Sequence, residues 1–418
     1  MSGSSSLSEV EQIVSRRKFL KGVALAGGLG AASLALPAAM IRPSQAVGTT
    51  DVAPASYIVE NNAGTITAYH CNTGSVDYSG SSAATVIQQA LNGLTPNRTW
   101  KEKVVLKGNF TLSDTSSPQE LSIPSYTILE IQGSLKLATL PSNITSMHML
   151  YVYNATDVDI IGGVLNGNRT GQGANFAYGD AIVINGSERV VVQSTRMTNT
   201  RQWGIYVYEG NRNKFFGVVT DNCGWDGIAV EGANNMAVDN EFYSVTSHDN
   251  GLANDAYAPG NKNGLYLEGH PGGGPLGTRI FGGNFYNNLD GIAMLRADWT
   301  EIHGTDVYSN RQDGIVIAAS EGVAVIGGTV RLNGSTGTAS YRNGIRIDDT
   351  GVSPPSARTR IEGVVVKTNS EYGIVERGSA DYDLIIGCII DNNGSGPISS
   401  VGTNTKIAHN MGISTHNA

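Results

Sequence analysis

Apolar residues in this chain come in short alternating bursts, and the bursts recur. The phrases "DAIVING" (180–186), "WGIYVYEG" (203–210), "DGIAVEG" (226–232) and "NGLYLEG" (263–269) are followed by "DGIAML" (290–295), "DGIVIA" (313–318), "NGIRID" (343–348) and "YGIVER" (372–377). In each, the third residue is apolar and the fourth varies, and in all but the last the fifth is again apolar, the period of a strand with one buried face. The second residues fall at 181, 204, 227, 264, 291, 314, 344 and 373, in steps of 23, 23, 37, 27, 23, 30 and 29. A basal step of 23 is too short for a helix pair or a propeller blade. It suits one winding of a parallel β-helix, whose repeats stack because none can bury its apolar face alone.

Other segments extend this reading. Second strands are visible in "VDIIGGVLNG" (158–167), "TRIFGGNFYNN" (278–288) and "VAVIGGTVRLNG" (323–334). The Asn residues at their ends are expected to stack as polar ladders between windings. The Asp/Asn-Gly pair that opens five of the phrases is expected to supply the left-handed backbone of a tight turn. One segment, "SAATVIQQALNGL" (82–94), has helical periodicity through Val86, Ile87, Ala90, Leu91 and Leu94, with Ser82 as N-cap. Since a solenoid must cover its open end, this helix, at about 83–94, is expected to be the cap.

The N-terminus reads as a targeting segment. "SRRKFLK" (15–21) is a twin-arginine export signature, followed by an apolar Gly/Ala-rich run (22–40) and a small-residue cleavage site, "SQA" (44–46). Residues 1–46 are therefore expected to be removed, leaving 47–418 as a single domain with coils from about 103 to 410. The run is long enough to raise a membrane span, but its Gly/Ala content makes it a weak one, so stable insertion after cleavage is not expected. Without residues 1–46 the chain keeps 23 basic against 34 acidic residues. That acidity disfavours nucleic acid and anionic lipid as partners. Cys71, Cys223 and Cys388 are far apart, without metal-ligand spacing, and read as buried thiols.

Over roughly residues 75–415 the chain resembles the right-handed parallel β-helix families of the pectate-lyase-like group. The resemblance rests on the cap helix before a strand, on "GGVLNGNR" (162–169) and on the Asn/Asp-Gly-Ile windings. It implies an all-β, single-stranded right-handed parallel β-helix and, by analogy, a polysaccharide substrate. "LNGNR" (165–169) is similar to a Leu-Asp-Gly-Asn-Arg phrase of mannuronan C5-epimerases. Their catalytic Tyr, Asp and His would fall on Trp203, Tyr206 and Tyr208, and a later catalytic Asp near Glu231. The scaffold rhythm matches and the reactive residues differ.

Alternation gives the outward positions. One column is Val183, Tyr206, Ala229, Tyr266, Ala293, Val316, Arg346 and Val375; the other is Asn185, Tyr208, Glu231, Glu268, Leu295, Ala318, Asp348 and Arg377. Neighbouring strands lie about 4.7–4.9 Å apart, so Glu231 and Glu268 should be lateral neighbours among Tyr206, Tyr208 and Tyr266. Insertions at 244–262 and 270–277 flank that winding, as walls of a groove would.

The function expected first is that of a polysaccharide lyase, with a glycosidase and a binding module as alternatives. A lyase acting by β-elimination on a uronate polymer would use Tyr208 or His270 as base, Tyr206 as acid and Arg296 against the substrate carboxylate. A retaining glycosidase acting on a neutral polymer would use Glu231 and Glu268. A non-catalytic carbohydrate-binding solenoid needs neither. Trp203 and Trp225 are candidate sugar platforms. Glu231, Glu268 and Asp298 are an alternative oxygen donor set for Ca²⁺, the one cofactor that the residue types suggest. "HDN" (248–250) has the letters of a catalytic triplet and the context of a turn.

Overall fold

The structure is a computed structural model. It describes residues 54–113, 121–173, 176, 178–233, 236–251, 262–270, 273–336, 340–348 and 354–412. The export signature, its apolar run and the cleavage site lie outside the described residues, as do 252–261 of one insertion and 271–272 of the other. Among the described residues, no helix is long and apolar enough to cross a membrane.

The windings form a right-handed parallel β-helix. One face is an eleven-stranded sheet that begins at Leu121–Ser122 and Leu150–Tyr153 and ends at Gly396–Ser399. Two further stacks start from Asp159–Ile161 and Val164–Asn166 and run in parallel register to the C-terminal windings. The long strands Glu102–Leu112 and Thr127–Leu137 join them. Inward side chains fill the tube with columns of Ile, Leu and Val, and Phe215 stacks on Phe242 at 4.6 Å.

The cap helix α1 spans Ala83–Asn92 and buries Ala83, Ala84, Val86, Ile87, Ala90 and Leu91. Ser82 Oγ accepts from Thr85 N at 3.2 Å, and Gly93 ends the helix two residues before the expected limit. Ser82→Ala is expected to cost about 1 kcal/mol, read as a lower thermal midpoint. Three antiparallel strands precede α1, at Ala55–Asn62, Thr65–His70 and Val76–Gly80, where no element was expected. Their turn uses Ala63 and Gly64, both at positive φ.

The glycines that open the repeated phrases have a different role from the expected one. Gly314 is not in the left-handed region; a Cβ there would lie 2.6 Å from Gly344 O and 2.6 Å from Val330 Cγ1. The glycine lets successive backbones approach. Left-handed backbone sits instead just before the Asn ladder, at Asn222, Asp249, Asn287, Ser309, Leu332 and Thr368. Cys223 and Cys388 are buried as expected, but Cys71 is exposed at the rim of the N-terminal hairpins.

Asp and Asn rungs run beside the eleven-stranded sheet. Asp290 Oδ1 accepts from Asp313 N at 2.8 Å, Asp313 Oδ1 from Asn343 N at 2.8 Å, and Asn343 Oδ1 from Tyr372 N at 3.2 Å. Burial, and then the charge of Asp313, pushes Asp290 up to about 7. A raised carboxyl favours folding most below the ordinary aspartate range, and this contribution is lost as pH rises to about 7. Asp290→Asn keeps the acceptor without the charge. It is expected to flatten the pH dependence of the melting temperature between pH 5 and 8 and to stabilise by on the order of 1–3 kcal/mol at pH 8.

Candidate functional site

Register follows the expected columns. Val183, Tyr206, Ala229, Tyr266, Ala293, Val316, Arg346 and Val375 are successive lateral partners. Asn185, Tyr208, Glu231, Glu268, Leu295, Ala318 and Asp348 are the second series. The first column is less open than alternation alone implies. Val183, Ala229, Ala293, Val316, Arg346 and Val375 are buried. Ala229, between Tyr206 and Tyr266, is shaded by its larger neighbours.

Trp203 takes the place that Asp or Asn holds in the windings around it. Its N–H still reaches Asp180 Oδ1 at 3.0 Å, while its indole Nε1 donates to Asp226 Oδ2 at 3.1 Å. The interrupted ladder makes room for rings. Trp203 stacks on Tyr206 with centroids 4.2 Å apart and meets Trp225 edge-on at 5.0 Å. A cleft of about 140 Å³ results, lined by Trp203, Trp225, Asp226, Ala229, Glu231, Tyr266 and Glu268.

Glu231 and Glu268 are register partners. Their surroundings differ. Tyr206 Oη donates to Glu231 Oε2 at 2.5 Å, and His270 Nε2 meets Glu231 Oε1 within hydrogen-bonding range. Both Glu231 oxygens are thus engaged. Burial, followed by the Glu231 charge, raises the pKa of Glu268, against the opposing pull of His270, Tyr266 and Arg296. Burial and its bond to Glu231 push the Tyr206 phenol far up, so it stays a donor. Tyr208 is also pushed up, mainly by the Glu209 charge.

Asp226 also lines the cleft, and spacing did not reveal it. It is buried, and burial pushes its carboxyl up to about 7, with Glu268 adding a smaller push. Asp at this position reads as one more rung, and only the tryptophan one winding earlier hints otherwise. Arg296 lies near Glu268, with Nη1 3.3 Å from Gly269 O. Asp298 does not line the cleft. Its Oδ1 accepts from Glu321 N at 2.8 Å and fixes a turn. The expected Ca²⁺ set loses its third member, and among the described residues no group of three His, Cys, Asp or Glu converges on a metal position. In "HDN", His248 pairs with Asp249 at 2.6 Å and Asn250 is a ladder rung, so the triplet belongs to a turn.

The family profile described as right handed beta helix region matches residues 242–411. No curated protein matches by sequence. In structure the chain is similar to the A-module of the Azotobacter vinelandii mannuronan C-5 epimerase AlgE4, with 16% identity and a TM-score of 0.60 over 78% of this chain and 96% of that one. It is similar also to the AlgE6 A-module from the same organism, at 16% and 0.61, covering 80% and 96%. The enzymatically active domain of bacteriophage CBA120 tailspike protein 2 aligns at 13% and 0.52, covering 75% and 48%. At these identities the likeness is one of fold.

Proposed function

We propose that this protein is an exported polysaccharide-processing enzyme that hydrolyses glycosidic bonds in a neutral polymer. The carrying observation is the adjacent Glu231–Glu268 pair in unlike surroundings, one carboxyl holding two hydrogen-bond partners and the other with its pKa raised. Pairs whose environments differ in this way divide into acid and nucleophile. Glu268 donates its proton to the leaving oxygen as the glycosidic bond breaks, and Glu231 attacks the anomeric carbon. Water then cleaves the glycosyl-enzyme, giving its proton back to Glu268. Trp203 and Tyr206 offer ring faces for the sugar, and Tyr206 and His270 hold Glu231 in line. The clustering of Asp226, Glu231 and Glu268 supports a neutral rather than a polyanionic substrate. The twin-arginine-type phrase at 15–21 supports export of a folded chain.

β-Elimination on a uronate polymer is the second reading. It is supported by Tyr206 as a protonated acid, His270 as base, Arg296 near the pair and the fold shared with enzymes named for mannuronan. Incubation with neutral and uronate polysaccharides separates the two. New reducing ends without ultraviolet absorbance are expected from hydrolysis. An unsaturated product would identify a lyase, and retardation in a polysaccharide gel without chain shortening would identify a binding module. Activity is expected to survive a chelator; loss that Ca²⁺ restores would overturn the metal-free scheme.

A further inference from the structure

The eleven-stranded face is unequal on the two sides of the carboxylate pair. On the N-terminal side the Glu column continues through Tyr208 and Asn185 to Tyr153, which is 57% exposed. Tyr153 stacks on Tyr151 at 5.7 Å and 8°, and Asn185 Nδ2 donates to Tyr151 Oη at 3.3 Å. His148 lies parallel to the Tyr151 ring at 6.0 Å. Its Nδ1 is 2.8 Å from Oδ2 of the fully buried Asp180, an electrostatic contact rather than an aligned hydrogen bond. About a quarter of its side chain remains open to solvent.

On the C-terminal side the same column turns to Leu295 and Ala318, with Ala293 and Val316 beside them. The next charged residue of these two columns, Arg346, is already bound by Asp313 at 2.6 Å and Asp348 at 2.5 Å. In the windings next to the carboxylate pair, rings in the two outward columns therefore lie on the N-terminal side; on the C-terminal side the next exposed ring, Tyr341, packs against Arg346 and Arg377 beyond the apolar stretch.

We propose that the polymer is held asymmetrically, on the windings N-terminal to the carboxylate pair, with Tyr208 and Tyr153 as sugar platforms and His148 as a hydroxyl contact. The inference rests on the polysaccharide-hydrolase reading and adds the direction in which the substrate lies. Three strand spacings separate the Leu150–Tyr153 winding from that of Glu231, so the track is roughly 14 Å long, the reach of an oligosaccharide rather than a single sugar. Apolar sugar faces suit the tyrosine rings, and the Asp180 carboxylate restrains the His148 imidazole beside them.

The test compares kcat/KM for long chains of a cleaved neutral polymer with that for its two-sugar fragments. Tyr153→Ala and His148→Gln are each expected to lower the long-to-short ratio about tenfold, mainly through KM. Tyr382→Ala, at a tyrosine 62% exposed outside this face, should leave the ratio unchanged. Equal loss on long and short substrates, or none, overturns the track. If no polymer is cleaved, the hydrolytic reading falls separately. Affinity electrophoresis in the same polymers still decides the track: Tyr153→Ala must weaken retention about tenfold, and undiminished retention refutes it.

Discussion

Glu268→Gln is expected to lower turnover of the polymer by about 10³-fold while leaving the melting temperature close to that of the parent. The amide has the shape of the acid but no proton to give the leaving oxygen. The pH profile should change with it. Because the Glu268 pKa is raised, the parent keeps its acid form to higher pH than an ordinary glutamate, and activity falls as pH rises through that shifted value. The variant should lack this alkaline limb. A substrate whose leaving group departs without protonation should restore the first step in Glu268→Gln and not in Glu231→Gln, since only the latter removes the nucleophile. Wild-type turnover by a folded Glu268→Gln protein would remove Glu268 from the mechanism.

The site was legible only as far as repeat spacing carries. Lateral pairing of Glu231 with Glu268, and of Tyr206 with Ala229, follows from one marker residue per winding, because in-phase stacking converts sequence offset into position. The Asn ladder followed from the same logic. Four features did not. The phrase glycines suggested turns, whereas their role is close approach of neighbouring backbones, which depends on the next winding and not on local sequence. Asp226 has the same letter as Asp290 and Asp313, and differs only because Trp203 interrupts the ladder beside it. Asp298 looked like a third ligand until its carboxylate was found on the Glu321 N–H. Side-chain partners between windings are a tertiary property, and alternation carries no information about them. The hairpins before α1 were missed because they precede the repeat and obey no period of it.

The ladder also makes the stability of the site separable from that of the C-terminal windings. Asn333 Oδ1 accepts from Asn310 N at 3.1 Å and from Asn310 Nδ2 at 3.0 Å, and its own Nδ2 reaches Val307 O at 3.3 Å and Asn369 Oδ1 at 2.9 Å. All of this is buried. Asn333→Leu keeps the volume but strands the Asn310 N–H away from water and removes the other side-chain bonds to Asn310, Asn369 and the Val307 carbonyl, the last of which stays in its strand ladder. At about 1–3 kcal/mol for each unmade bond, less some gain in apolar burial, the expected loss is on the order of 4 kcal/mol. Solenoid windings are coupled mainly to their neighbours, so the damage should be local. Hydrogen exchange is expected to rise first in the windings beyond residue 333, while the Glu231–Glu268 windings stay protected and polymer cleavage persists at temperatures where the C-terminal windings have opened. A single cooperative loss of protection along the whole tube, together with activity, would show that the windings fold as one unit and that the cleft cannot outlast its C-terminal neighbours.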